Sequence, residues 1–229
     1  DRLFIGTYAD GAFMVDGDTV RPLPMDRLEL LKHVHAFHVD KRGSLWMSTN
    51  QGLVRASLRD INAHLADPTI GVMYSYFRER AGLENSEFNG GCTPAMTELR
   101  DGRVAFPSLE GSVVFAPMQV PDTLTDTSIL FENTYVDGRK WSVDDRMIFN
   151  SNTREIVFEF SIPYWEDDAN LQLEYYVEGF TDRWRPLDVS SGKLVLSGVP
   201  YGEHLLRVRL VNGVPLFICD HESIWFEVR

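Results

Sequence analysis

The chain has 229 residues, enough for one large domain or two ordinary ones, and its hydrophobic share of 44% is normal for a globular protein. A formal net charge of -12, with no stretch that gathers Lys and Arg among aromatics, excludes nucleic acid and an anionic membrane surface as partners. No apolar run approaches the ~20 residues that cross a bilayer, and no charged-then-apolar leader opens the sequence.

Short runs rich in Val, Ile, Phe, Tyr and Trp, punctuated by Asp-Gly, Asn-Gly and Ser-Gly, predict β structure throughout. The first run, Leu3-Phe4-Ile5-Gly6-Thr7, returns as Leu45-Trp46-Met47-Ser48-Thr49 and as Val104-Ala105-Phe106-Pro107-Ser108. Gly11, Gly52 and Gly111 follow the three copies and open a returning apolar strand, because a tight turn needs glycine's backbone freedom. Asp40-Lys41-Arg42-Gly43 and Arg100-Asp101-Gly102 supply further turns, with Asp40 and Asp101 as turn formers. Ile5 and Met47 lie 42 residues apart, the size of one four-stranded propeller blade.

Between the second and third copies, Leu58 to Ala66 reads as an inserted surface helix. Ser57 caps it, Leu58, Ile61 and Leu65 share a face, and Asp67-Pro68 stops it. Two to three blades cannot close a ring that takes about four to eight. Together with a start at Asp1 rather than Met, directly against a strand, this predicts a fragment of a longer propeller.

After Pro117 the pattern changes. Pro121 to Thr127 reads as a linker or a strand-leading arm, and strands follow at Ile129 to Val136, Arg146 to Phe149, Glu155 to Ser161, Leu171 to Gly179, Lys193 to Leu196, His204 to Val211 and Ser223 to Val228. This series predicts an immunoglobulin- or fibronectin-like β-sandwich. The expected fold class is therefore all-β: an incomplete propeller over residues 1–118, then a sandwich over 119–229.

The order of motifs resembles the periplasmic sensor region of bacterial two-component histidine kinases, especially hybrid kinases with regulator propellers and a three-tyrosine domain. Gly43-Ser44-Leu45-Trp46-Met47-Ser48-Thr49-Asn50-Gln51-Gly52-Leu53 follows that family's blade motif except at Ser48. Gly82-Leu83, Glu87-Phe88-Asn89, Asp101-Gly102 and Phe115-Ala116-Pro117 follow its last blade. Tyr175-Tyr176-Val177-Glu178-Gly179-Phe180, Trp184, Gly198-Val199-Pro200-Tyr201-Gly202 and Arg207-Val208-Arg209 look like its sandwich, in which Tyr175 is the one family tyrosine placed here and Leu173, Leu196 and His204 stand at other aromatic positions. The resemblance implies the C-terminal part of a ligand-sensing ectodomain, the periplasmic part of an inner-membrane protein followed by a membrane helix and a kinase. It also implies a homodimer formed through the sandwich and a carbohydrate ligand for the complete ectodomain. An accessory fragment of a carbohydrate-active propeller enzyme or adhesin is the alternative.

Residues that could carry chemistry are few. His33 and His35 of Lys32-His33-Val34-His35-Ala36-Phe37-His38 would share a strand face at a spacing fit for a metal, but no third ligand stands at a fixed offset. Glu166-Asp167-Asp168 and Asp144-Asp145 lack the alternating ligands and glycine of a calcium loop. Cys92 sits in a glycine-rich turn without an activating neighbour, and its distance from Cys219 argues against a disulfide. No nucleophile elbow, phosphate loop or zinc-protease motif occurs, so no catalytic residue, metal or cofactor is expected and the chain is read as non-enzymatic. Among the tryptophans, Trp46, Trp184 and Trp225 are expected in cores. Trp165, beside Tyr164 and an acidic run, is the candidate for ligand contact.

Overall fold

The computed structural model describes residues 2–91, 93–121, 127–141, 147–164, 167–212 and 217–229, with residues 212 and 217–221 by backbone alone. They are all-β apart from one α-helix and a few short 3-10 turns, and divide into two units, 1–122 and 123–212 with 216–229.

The first unit is built from three antiparallel sheets. β1 (Arg2–Gly6), β2 (Ala12–Asp16) and β3 (Thr19–Pro22) form the first. β4 (Val34–Val39), β5 (Ser44–Thr49), β6 (Gly52–Ser57) and β7 (Tyr74–Phe77) form the second, and β8 (Thr97–Glu98), β9 (Val104–Ser108) and β10 (Gly111–Phe115) the third. The three motif copies are β1, β5 and β9, each hairpinned to the following strand. These are the expected blades, and the helix α1 (Leu58–Ala66) is inserted between β6 and β7.

Alternation decides which sheet each blade face meets. Phe37 and Met47 are cross-strand partners, and Phe37 stacks on Phe4 of β1 at 5.5 Å, so this face of the second blade packs on the first. The approach is close: a Cβ on Gly6 would lie 2.1 Å from the Val34 carbonyl oxygen. The opposite face carries Trp46, Leu53 and Ala36, which form a core with Val104, Phe106 and Phe88 of the third blade. Trp46 is 1% exposed. The guanidinium of Arg55 lies 5.3 Å from the Trp46 ring centroid and 5.4 Å from that of Phe77, so its charge is covered by aromatic faces.

The second unit is a two-sheet sandwich. β11 (Leu130–Val136), β12 (Arg139–Trp141), β14 (Glu155–Ser161) and β17 (Lys193–Ser197) make one sheet in the order β12-β11-β14-β17. β13 (Met147–Phe149), β15 (Gln172–Val177), β16 (Arg185–Leu187), β18 (Gly202–Asn212) and β19 (Phe217–Val228) make the other in the order β13-β19-β18-β15-β16, antiparallel except for β13 beside β19. Ile156, Phe158 and Phe160 from one sheet meet Leu206, Val208, Leu210, Phe226 and Val228 from the other in a continuous core. His204 is buried here, stacked on Phe226 with its ring nitrogens 2.9 and 2.8 Å from the carbonyl oxygens of Glu178 and Pro200. Leu173 and Leu196 are also buried, and Tyr175 packs partly against the same core.

Two tryptophans depart from expectation. Trp225 is 56% exposed, because Ile224, Phe226 and Val228 take the inward positions of β19 and alternation turns Trp225 outward. Trp184 is half-buried, 4.0 Å under the guanidinium of Arg209 and beside Tyr176, rather than in the core.

Candidate functional site

Among the described residues, a cleft of about 400 Å³ in the first unit is lined by Asn50, Gln51, Arg78, Glu79, Glu84, Asn85, Ser86 and Glu87. That volume falls within the range of small-molecule sites. Asn50 and Gln51 form the β5–β6 turn, and the other lining residues belong to the segment that leaves β7 for the third blade.

The floor is fixed by backbone bonds that local sequence does not announce. Thr49 Oγ1 donates to the Gly52 carbonyl at 2.9 Å and accepts from the Gln51 amide at 3.1 Å, closing the turn. Gly52 is required at its φ of +134°, where an added Cβ would also lie 2.7 Å from the Phe77 carbonyl oxygen. The incoming segment is stitched to both blades: Phe88 N–H donates to the Thr49 carbonyl at 3.1 Å, Asn89 N–H to Pro107 at 2.9 Å, and Leu109 N–H to Glu87 at 3.1 Å. Buried Phe88 is thereby an anchor, and Glu84 and Glu87 project to solvent beside it.

Side chains then order the wall. The Ser86 hydroxyl donates to the Glu79 carboxylate, and Asn85 Oδ1 accepts from the Glu87 amide at 2.7 Å. Asn50 Oδ1 lies 2.6 Å from His35 Nε2. The cleft presents amide, hydroxyl, guanidinium and carboxylate groups, which suits a ligand bound through many hydrogen bonds.

At the opposite end of β5, Asp40 organises the β4–β5 turn. Its carboxylate accepts from the Arg42 and Ser44 amides, each at 2.9 Å, and from the Trp46 indole N–H at 2.9 Å. Burial works against its charge, but the Trp46 indole and the Ser44 and Arg42 amides outweigh it and hold the carboxyl below its ordinary range. Arg42 in turn donates to the carbonyls of Pro117 and Val120, at 2.6 and 2.9 Å.

The residues singled out in the sequence as candidates for chemistry or ligand contact do not gather here. Trp165, Cys92, Asp144, Asp145 and Glu166 lie outside the described residues, and Cys219 belongs to a stretch described by backbone alone. His33 packs edge-on against Tyr8 at 4.7 Å while His35 points to Asn50, so the two histidines have separate partners. Among the described residues no group of three or more His, Cys, Asp or Glu is placed to hold a metal ion. Asp167 accepts from the Ala169 amide at 3.0 Å, and Asp101 from the Arg103 amide at 3.1 Å, as turn-forming carboxylates do.

No family model matches the chain. Histidine kinase P4 of Formosa agariphila is 22% identical over 216 residues, which cover 90% of this chain and 15% of that kinase. Among solved structures, the extracellular domain of the hybrid two-component system BT3049 from B. thetaiotaomicron shares the fold, with a TM-score of 0.67 and 16% identity over 99% of this chain and 30% of that domain. The chain thus spans a small part of each relative.

Proposed function

We propose that this chain is the C-terminal part of the periplasmic ligand-sensing ectodomain of a two-component sensor kinase. In this reading it passes a ligand-induced rearrangement or dimerisation towards the membrane, with the sandwich as the pairing element. It acts by binding and transmission, without a chemical step of its own. The observation that carries the reading is the fold shared with an extracellular two-component domain along nearly the whole chain, supported by the weaker sequence likeness to a histidine kinase over 90% of it. A ligand shifts such a receptor only by binding one arrangement better than another. The polar cleft beside Asn50 and Glu87 supplies groups for that difference, and an oligosaccharide fits its hydrogen-bonding character.

Two measurements test this. The encoding gene is expected to continue beyond Arg229 into a membrane helix and a kinase; a stop codon there overturns the reading. Calorimetry of the complete ectodomain against a panel of oligosaccharides is expected to find one ligand, and Asn50→Ala with Asn85→Ala to weaken it about tenfold, the worth of one or two hydrogen bonds.

A further inference from the structure

His204 is 3% exposed, and its ring stacks on Phe226 with centroids 5.2 Å apart. Nδ1 lies 2.9 Å from the Glu178 carbonyl oxygen and Nε2 lies 2.8 Å from that of Pro200. Both partners are acceptors with no hydrogen to give. A neutral imidazole carries one N–H and one bare nitrogen. In that form a lone pair would face a carbonyl oxygen at bonding distance, in a place too buried for water to intervene. The imidazolium, with two N–H donors, makes both bonds, and they are charge-assisted. His35 and His64 differ: each has one oxygen partner, Asn50 Oδ1 and the Ile70 carbonyl, which a neutral tautomer satisfies.

The two carbonyls belong to turns of unequal strength. Glu178 N–H donates to the Leu205 carbonyl at 3.0 Å, and the Phe180 and Thr181 N–H groups donate to the Val177 carbonyl at 3.1 and 2.9 Å, so the backbone around Glu178 is fixed. Gly179 closes this turn against the ring, where an added Cβ would lie 3.5 Å from Nδ1. Residues 198–201, which join β17 to β18, make no backbone–backbone hydrogen bond among the described residues. The bond from His204 to Pro200 is their tether. Tyr201, 75% exposed, stands on this turn, and Val199 packs partly on the core.

Charged groups surround the ring without touching it. The Glu178 carboxylate lies 3.5 Å from the Arg207 guanidinium. Glu203 and Glu227 are cross-strand partners one residue out of phase with His204 and Phe226, and Arg229 donates to Glu227 at 2.8 Å. Among the described residues none of these side chains, nor Tyr201, bonds to the imidazole, so its own proton count decides which carbonyls it holds.

We propose that His204 is a proton-dependent latch for the turn 198–201. With both nitrogens protonated it holds Glu178 and Pro200 together. When one proton leaves to solvent, the other stays on Nδ1, because the fixed Glu178 carbonyl cannot turn away from a bare nitrogen. Nε2 then presents a lone pair to Pro200, whose turn moves off and frees Val199 and Tyr201 while the strands stay paired. The latch is closed at low pH and opens as pH rises.

The test is NMR of the histidine-labelled chain from about pH 5 to about pH 9, a span that brackets histidine's charge change. His204→Gln identifies the signals of this ring by their loss. Both ring nitrogens are expected to carry protons at the acid end, and Nε2 alone to be bare at the alkaline end. Over the same titration the backbone order parameters of Val199 and Tyr201, read at Cα, are expected to fall from about 0.85 to below about 0.6, and in His204→Gln to stay constant with pH. A ring with one bare nitrogen at the acid end, order parameters that ignore the titration, or the same pH response in His204→Gln each overturn the inference. No readout depends on ligand or kinase activity, so failure here is separate from failure of the sensor reading.

Discussion

The indole N–H of Trp46 donates to the carboxylate of Asp40 across 2.9 Å, and both groups are buried. That bond joins the centre of the motif strand to the turn that precedes it. Asp40→Ala removes the acceptor and leaves the indole without its partner, which is expected to cost about 2–3 kcal/mol in urea unfolding. Asp40→Asn, which keeps an acceptor oxygen, is expected to cost less.

Acid unfolding follows from the same carboxylate. Its folded-state value lies below its ordinary one, so its contribution is complete above the ordinary carboxylate range and is lost as pH falls through the folded value, from about pH 4 downward. Asp40→Asn is expected to flatten that part of the stability profile; an unchanged slope would show that another group controls it.

Gly6→Ala is expected to destabilise by about 3 kcal/mol, since its Cβ would meet the Val34 backbone and the two blades cannot separate locally. Gly71→Ala, with open space around the new methyl group, is expected to stay within about 0.5 kcal/mol. Thermal melts of both variants decide whether the blade contact is as tight as described.

In the sandwich, Phe158 is 0% exposed and lies 5.6 Å from Phe226 across the two sheets. Phe158→Ala is expected to cost about 3–5 kcal/mol, read as a lower denaturation midpoint.

Trp225 offers a different kind of test. As an outward residue it should tolerate Trp225→Glu within about 0.5 kcal/mol. If the sandwich pairs two copies through this face, the same change is expected to raise the dimer dissociation constant by about tenfold or more in sedimentation. A wild-type chain that stays monomeric at every concentration removes pairing by this chain alone.

Strong alternation made the main strands legible. Glu155 to Ser161 could be read to the residue because Ile156, Phe158 and Phe160 keep one phase, and α1 because Asp67-Pro68 closes a helical stripe, although Ser57 stands at its N-cap without the expected side-chain capping bond. β12 and β16 were not legible: Arg139–Trp141 and Arg185–Leu187 are short and largely polar, and exist because Thr134 to Val136 and Leu173 to Tyr175 offer them ladder partners. Trp225 misled because it belongs to an alternating strand, in which Ile224, Phe226 and Val228 take the inward phase and turn it outward. The cleft was hidden for another reason. Its halves, Asn50-Gln51 and Arg78 to Glu87, are distant in sequence and meet through backbone bonds such as Phe88 to Thr49, which no side-chain pattern encodes.

The bonds from Arg42 to Pro117 and Val120 hold the last segment of the first unit against the β4–β5 turn, while the cleft borders the turn at the far end of β5. A strand of this length spans about 20 Å, locked along its middle by buried Trp46. One buried strand, paired on both edges, therefore sets the spacing between the turn that borders the cleft and the guanidinium that holds Pro117 and Val120.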